Sequence, residues 1–311
     1  MQNNIDLKII DLLKRDGRYS CAAIAQDLGV NVATVTKHIE RMLAEDVITI
    51  KTVLNQFKMG FNVHAFITID VDLRKVDQVC DQLGENPHLS LVVTAFGRYD
   101  LLGIADFQNW DTLQEFITKD LPRIDGIVKI NAFPIVEIKK LNSGLFTYSA
   151  PVLHYPPLDP PLDGIDQAII AELQKNGREP FTDLASRLNL SLTTVSRRVA
   201  RLRKDEILGI SAVRNPSKWG YLANAYVAVH ADANKVQNIC SELTDYPELH
   251  LIMTVMSGFE ILVGIHAPNS EKMYHFIVEK IARIEGVTKI ETFVCAEIYK
   301  RSFALFDSDK S

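Results

Sequence analysis

Two short stretches of this 311-residue chain place hydroxyl, amide and basic side chains at helical spacing. The first holds Asn31, Thr34, Thr36, Lys37, His38 and Arg41. The second, 160 positions later, holds Ser191, Thr194, Ser196, Arg197, Arg198 and Arg201, followed by Arg203 and Lys204. Between these residues run Val35, Ile39 and Met42 in the first stretch and Val195, Val199 and Leu202 in the second. Each stretch is therefore expected to be a helix with one buried stripe and one polar face. Asn31 and Ser191 suit its N-cap. The chemistry such a face offers is binding rather than catalysis. Hydroxyls and backbone N–H groups can hold phosphates, and arginine can pair bidentately with guanine in a major groove. A solvated charged face has the same residue types, but the arginine density of the second stretch favours nucleic acid.

Two further helical patterns stand before each of these helices. Ile5, Ile9, Leu12 and Leu13 share one face, and Gly17 is expected to end that helix as a C-cap. The second pattern starts at Ser20, buries Ile24, Ala25 and Leu28, and stops at Gly29. Ile165, Ile169, Ile170 and Leu173, then Leu184, Ala185 and Leu188, repeat both patterns. Three short helices with a tight turn before the third form a helix-turn-helix unit. The formal net charge of the chain is −5, so any attraction for DNA has to be local. Residues 1–50 carry six Lys/Arg against seven Asp/Glu, and residues 163–211 carry eight against seven. The second unit is therefore expected to grip phosphates harder, with Arg198 supplying more affinity than His38.

The shift of 160 aligns nearly the whole chain with itself without a gap. Gly17-Arg18 meets Gly177-Arg178, Thr34-Val35 meets Thr194-Val195, and Glu137-Ile138 meets Glu297-Ile298. After each helical unit the period changes to short β-rich runs. In the first copy Ile48–Phe57 reads as a connecting strand. His64–Val71, a helix over Lys75–Gly84, a hairpin of Leu89–Phe96 and Tyr99–Ala105, a helix capped by Asn109, and a strand over Ile127–Lys139 follow. That order, β-α-β-β-α-β, is ferredoxin-like. The expected class is α+β: two winged, three-helix helix-turn-helix (HTH) domains alternating with two ferredoxin-like domains. The boundaries are 1–50 and 163–211 for the HTH domains, 58–142 and 218–303 for the α/β domains, and 143–162 for a proline-rich linker. Both helices of each α/β unit lie on one sheet face, so the other face requires a partner sheet. No window approaches the roughly 18 apolar residues of a membrane span, and the N-terminus lacks the pattern of a secretory signal. Four scattered cysteines, Cys21, Cys80, Cys240 and Cys295, make no metal or disulfide pattern. A cytoplasmic protein without a cofactor or metal is expected.

The succession Ile5-Asp6-x-x-Ile9-Ile10-x-x-Leu13, Gly17-Arg18, Ala25-x-x-Leu28-Gly29-Val30-x-x-x-Thr34-Val35, then Thr94-x-x-Gly97-x-Tyr99-Asp100-Leu101-Leu102 and Ile124-x-Gly126-Ile127 resembles the leucine-responsive/asparagine-regulator (Lrp/AsnC) family of transcriptional regulators. The likeness covers the chain twice over. It implies double-stranded DNA as partner, sheets paired into dimers and often larger homo-oligomers, and a small effector, commonly an amino acid. The effector of such proteins sits near the Gly-x-Tyr-Asp hairpin, which makes Gly97, Arg98, Tyr99 and Asp100 the first-copy candidates. Asp100 could accept an ammonium and Arg98 could pair a carboxylate. The second copy departs from the pattern at Ser257, Gly258, Phe259 and Glu260, so its site is expected to bind differently or not at all. Here the two copies could pair their sheets within one chain, and the two readers need not be identical.

An enzyme is the rival. Sirohaem decarboxylases of haem biosynthesis are built on a similar framework and would need His and Arg lining a tetrapyrrole pocket. The eight histidines of this chain are spread out and poorly matched between copies: His64 aligns with Asn224, and His266 with Asp106. No nucleophile elbow, phosphate-binding glycine loop or metal-ligand spacing is present, so no catalytic residue is assigned.

Overall fold

The computed structural model describes residues 4–141 and 161–301. The proline-rich linker expected at 143–162 lies outside the described residues apart from its last two positions. The first helical unit consists of α1 (Asn4–Arg15), α2 (Cys21–Leu28) and α3 (Val32–Ala44). Its second-copy counterparts are α6 (Gly164–Lys175), α7 (Phe181–Arg187) and α8 (Leu192–Lys204). The expected caps are present. Ser20 accepts the N–H of Ala23, Asn31 that of Ala33, and Ser191 that of Thr194. Gly29 ends α2 in the left-handed region, and its N–H reaches the carbonyls of Ala25 and Gln26.

Gly17 has a different role from the C-cap expected of it. It does not adopt a positive φ. A Cβ there would stand 2.9 Å from backbone atoms of Ile210 and Ser211, and its N–H donates to the Ile210 carbonyl at 2.6 Å. Close approach of the second copy's backbone requires the glycine.

That approach follows from the pairing of β1 (Ile48–Leu54) with β6 (Leu208–Arg214). The two strands run antiparallel from Ile48↔Arg214 to Leu54↔Leu208. The connecting strand thus ends at Leu54 and joins the two copies instead of extending its own sheet. Leu54 packs into the core formed by Ile169, Leu173, Val195 and Leu202, whereas Ala212 and Trp219 pack with Ile9, Leu13, Val35 and Ile39. Each reader is closed by a strand from the other copy.

In the first α/β unit, β2 (Val63–Val71), α4 (Val76–Glu85), β3 (Leu89–Phe96), β4 (Leu101–Phe107), α5 (Trp110–Glu115, continued by a wider turn to Asp120) and β5 (Ile127–Leu141) follow in order. The hairpin's second strand begins at Leu101, two residues after the expected start, because Gly97–Asp100 form the turn. The second copy repeats the order as β7 (Ala223–Ala231), α9 (Val236–Thr244), β8 (Leu249–Val255), β9 (Ile261–Ala267), α10 (Ser270–Glu279) and β10 (Val287–Arg301). β5 and β10 are 15 residues long each and serve both copies. The N-terminal part of β5 pairs with β2 and its C-terminal part with β8, while β10 pairs with β7 and then β3. The result is a closed barrel in the order β10-β3-β4-β2-β5-β8-β9-β7.

Alternation along the strands divides the apolar residues into layers. Val63, Ala65, Ile67 and Ile69 face the helices, and Phe66 faces the barrel interior with Val93, Phe133, Tyr226, Met253, Phe259 and Phe293. The partner sheet required by the open apolar face is supplied within the chain.

Truncating Leu54 should therefore injure the other copy's reader. Leu54→Ala is expected to cost about 2–5 kcal/mol in denaturant unfolding and to reduce amide-exchange protection in α6 and α8 more than in α1 and α3. Loss confined to α1 and α3 would contradict the exchanged strands.

Candidate nucleic-acid interface and effector site

The polar faces of α3 and α8 are held by buried carboxylates on the first helix of each unit. Asp6, only 2% exposed, accepts from His38 Nδ1 at 2.6 Å and Arg41 Nη2 at 2.7 Å. Burial acts against this carboxylate, but the His38 and Arg41 hydrogen bonds outweigh it and lower its pKa below the ordinary value. In the second copy Asp166, fully buried, accepts from Arg198 at 3.0 Å and also from Arg201. Asp163, the N-cap of α6, takes Arg198 as well, at 2.7 Å. The Arg198 hydrogen bond is the main cause of the lowered Asp163 pKa.

Four of the residues expected at the DNA surface, His38, Arg41, Arg198 and Arg201, thus also fasten the recognition helices to their domains. This changes the expectation for Arg198, whose charge is already compensated by two carboxylates. Lys37 and Arg197 occupy equivalent places, are exposed, and form no ion pair among the described residues. Thr34, Thr36, Ser196 and Thr194 are half-buried; Thr36 donates to the Val32 carbonyl, and Ser191 and Thr194 share a hydroxyl contact of 2.8 Å. Arg203 is drawn to Asp16 of the other unit at 2.9 Å. Sequence reasoning missed Asp6 and Asp166 as functional supports. The signal was an aspartate within the first apolar stripe of both copies.

The two hairpins differ. In the first, Arg98 Nη1 donates to Glu291 on β10 at 3.2 Å, and its guanidinium lies 5.4 Å from the centre of the Tyr99 ring. Glu291 also accepts from Lys289 at 2.8 Å and His230 Nε2 at 2.9 Å. The Lys289 hydrogen bond does most, against burial and with help from His230 and Arg98, to bring the Glu291 pKa down to about 2. Asp100, expected to receive an ammonium, instead accepts the N–H of Val71 at 2.9 Å and ties the hairpin to the end of β2. Glu260 does the same for Ala231, also at 2.9 Å. Tyr99 packs on Phe293, ring centres 5.5 Å apart, and Phe259 on Phe133 at 5.0 Å. Gly97 and Ser257 are exposed.

Gly258 stands where Arg98 stands in the first copy. It has φ +83°, and a Cβ there would meet the Phe133 ring at 2.5 Å, so the second hairpin has no room for an arginine. The other partners are missing too, since Asp70 and Asn131 replace His230 and Glu291. The charged cluster therefore exists on one side of the barrel alone.

The histidines are better organised than their scatter suggests. His64 donates to Asp106 across β2 and β4 at 2.5 Å, and the second copy inverts the pair, His266 to Asn224. His266 also stacks on His250, with ring centres 3.9 Å apart, beside a small cleft lined by Leu91, Val93, Tyr226 and Cys295. Among the described residues, no group of three His, Cys, Asp or Glu side chains could hold a metal ion.

Fold and site together define a duplicated protein of two helix-turn-helix units, joined by the β1–β6 pair, and one shared α/β barrel. Comparison with known proteins gives the particular family. A winged helix-turn-helix DNA-binding model matches residues 2–49, and an AsnC-type helix-turn-helix model matches 162–203. The Lrp/AsnC ligand binding domain matches twice, at 64–145 and 224–305. The chain belongs to the Lrp/AsnC family of transcriptional regulators. An uncharacterized HTH-type transcriptional regulator of Pyrococcus horikoshii is 33% identical over 144 residues, 46% of this chain and 91% of that protein. The HTH-type transcriptional regulator FL11 of Pyrococcus furiosus is 30% identical over 145 residues, 46% of this chain and 95% of its own length. These relatives correspond to one copy. Among solved structures, the siroheme decarboxylase NirDL is similar over 98% of this chain and 95% of its own, with a TM-score of 0.68 and 16% identity. At that identity the likeness concerns the fold.

The low pKa of Glu291 has a pH signature. Its contribution is present above the ordinary carboxylate value of 4.5 and is lost as pH falls towards about 2. Wild type should melt above Glu291→Gln at neutral pH, with the gap closing through that window. A gap independent of pH would show that Glu291 is not ion-paired in solution.

Proposed function

We propose that this protein is a sequence-specific DNA-binding regulator, not an enzyme, that reads one bipartite site with α3 and α8 and is modulated by a small molecule bearing a carboxylate. The observation that carries the reading is the pair of equivalent, exposed cations, Lys37 and Arg197, beside His38, Arg41, Arg198 and Arg201, which anchor their helices to the domain. Asn31, Thr34, Thr36, His38, Arg41, Ser191, Thr194, Ser196, Arg198 and Arg201 surround them as the rest of the proposed interface. The duplicated helix-turn-helix matches support DNA as partner. No helix among the described residues is long and apolar enough to cross a membrane; the cytoplasmic location belongs to the proposal through the regulator family.

The effector is placed at the Arg98 cluster, between the first hairpin and β10. A carboxylate can displace Glu291 from Arg98, and Glu291 then has acceptor capacity for an ammonium, so an α-amino acid matches both charges. Gly97, Tyr99 and Asp100 shape that side, and Ser257, Gly258, Phe259 and Glu260 mark the other hairpin, which lacks the cluster. The paired copies already form a pseudo-dimer; exposed Phe96 and Met256 at the hairpin tips support further homo-oligomer contacts.

Binding of the full-length protein to its own upstream DNA over a salt series, with a panel of amino acids, tests this reading. Arg197→Ala should weaken binding to all sequences and lower the salt slope by about 1, whereas Arg198→Ala should chiefly reduce thermal stability. Arg98→Ala should abolish the amino-acid response and leave DNA binding intact. DNA binding no better than to random sequence, together with uptake of a tetrapyrrole, would replace the regulator by the decarboxylase reading.

A further inference from the structure

The turns between the first and second helices of the two readers hold one another. Arg18 Nη1 donates to the carbonyls of Gly177 at 2.8 Å and Glu179 at 3.0 Å, and its guanidinium lies 4.2 Å from the centre of the Phe181 ring. Arg178 returns the contact: Nε donates to the Gly17 carbonyl at 2.8 Å and Nη2 to that of Tyr19 at 3.1 Å. Each arginine reaches the same two turn positions in the opposite copy. A planar guanidinium fork can satisfy two carbonyls in one fixed orientation, which a lysine ammonium on a flexible stem does not impose.

The surrounding contacts leave little freedom. The hydroxyl of Thr52 donates to the Leu173 carbonyl at 2.6 Å, and that of Ser211 to the Lys14 carbonyl at 2.9 Å. Lys58 Nζ donates to the Asp205 carbonyl and to Glu206, each at 2.9 Å. Gly17 admits no side chain against the Ile210–Ser211 backbone. None of these residues belongs to the polar faces of α3 and α8, yet all of them set the angle and distance between those faces.

We infer that Arg18 and Arg178 are positioning residues: their reciprocal clamp makes the two readers one rigid body, so the protein accepts two unlike DNA half-sites at a single spacing and helical phase. The half-sites are unlike because His38 stands where the second reader has Arg198, and Lys37 where it has Arg197. Each added base pair rotates one half-site by ~35° about the duplex, from a turn of about 10.5 base pairs. Readers tethered only by a flexible segment could follow that rotation. Readers clamped through backbone carbonyls cannot.

This inference rests on the DNA-binding reading, and its test separates the two. The full chain is used to enrich duplexes from a random pool, and the enriched site is rebuilt with its halves moved apart by one to six base pairs. Wild type is expected to bind about tenfold or more weakly two base pairs away from the preferred spacing. Arg18→Lys/Arg178→Lys should flatten that profile and leave affinity for an isolated half-site unchanged. Arg18→Lys alone, which keeps half the clamp, should lie between them and serves if the double variant does not fold. A wild-type protein indifferent to spacing overturns the clamp, as does a lysine variant that loses thermal stability but keeps the narrow profile. Failure to enrich any sequence removes the DNA-binding reading itself, and the clamp's role with it.

Discussion

Everything in this protein depends on antiparallel pairing between its two copies. A single ferredoxin-like sheet with both helices on one face leaves Phe66, Val93 and Phe133, or Tyr226, Met253 and Phe293, exposed to water. Bringing the inner faces together buries all of them in one core. The long strands β5 and β10 make this geometry possible, because each continues past its own sheet into the other and removes the open edges of both. The strands β1 and β6 apply the same solution to the readers, each closing the other's helical core.

Covalent duplication frees these paired surfaces from strict symmetry. In a dimer of identical chains a change on one face appears on the other. Here Arg98, Glu291, His230 and Lys289 gather on one side, while a glycine packed on Phe133 occupies the opposite side. The histidine pairs are inverted between copies, and the recognition helices carry different cations at equivalent turns. The fold remains two-fold while its chemistry does not.

The recognition helices show how one residue type serves two purposes. Arg198 and Arg201 read from the sequence as cations turned to DNA, and in the structure they are bound to Asp163 and Asp166. Leaving Asp166 buried and unpaired would be costly, so these arginines stabilise the domain whatever else they touch. The helices, their caps at Ser20, Asn31 and Ser191, and the order of strands were legible because they depend on local spacing. Gly17 was misread as a cap, and the tie from Asp100 to the Val71 N–H went unseen, since the atoms involved, the Ile210 backbone and the Val71 N–H, come from distant parts of the chain.

The 160-residue repeat, the periods of its elements and the Lrp/AsnC motifs determine, without coordinates, a duplicated HTH and α/β protein whose third helices lie near residues 31–44 and 191–204. Tertiary structure alone decided that Glu291 of the second copy completes the Arg98 site of the first. It also decided that Arg18 and Arg178 clasp opposite turns, and that Lys37 and Arg197 stay exposed while their neighbours bind buried carboxylates. Period and propensity act over a few residues and are written into neighbouring positions. Ion pairing and close backbone approach depend on which surfaces meet, and those surfaces meet only when two inner faces, 160 residues apart, exclude water together.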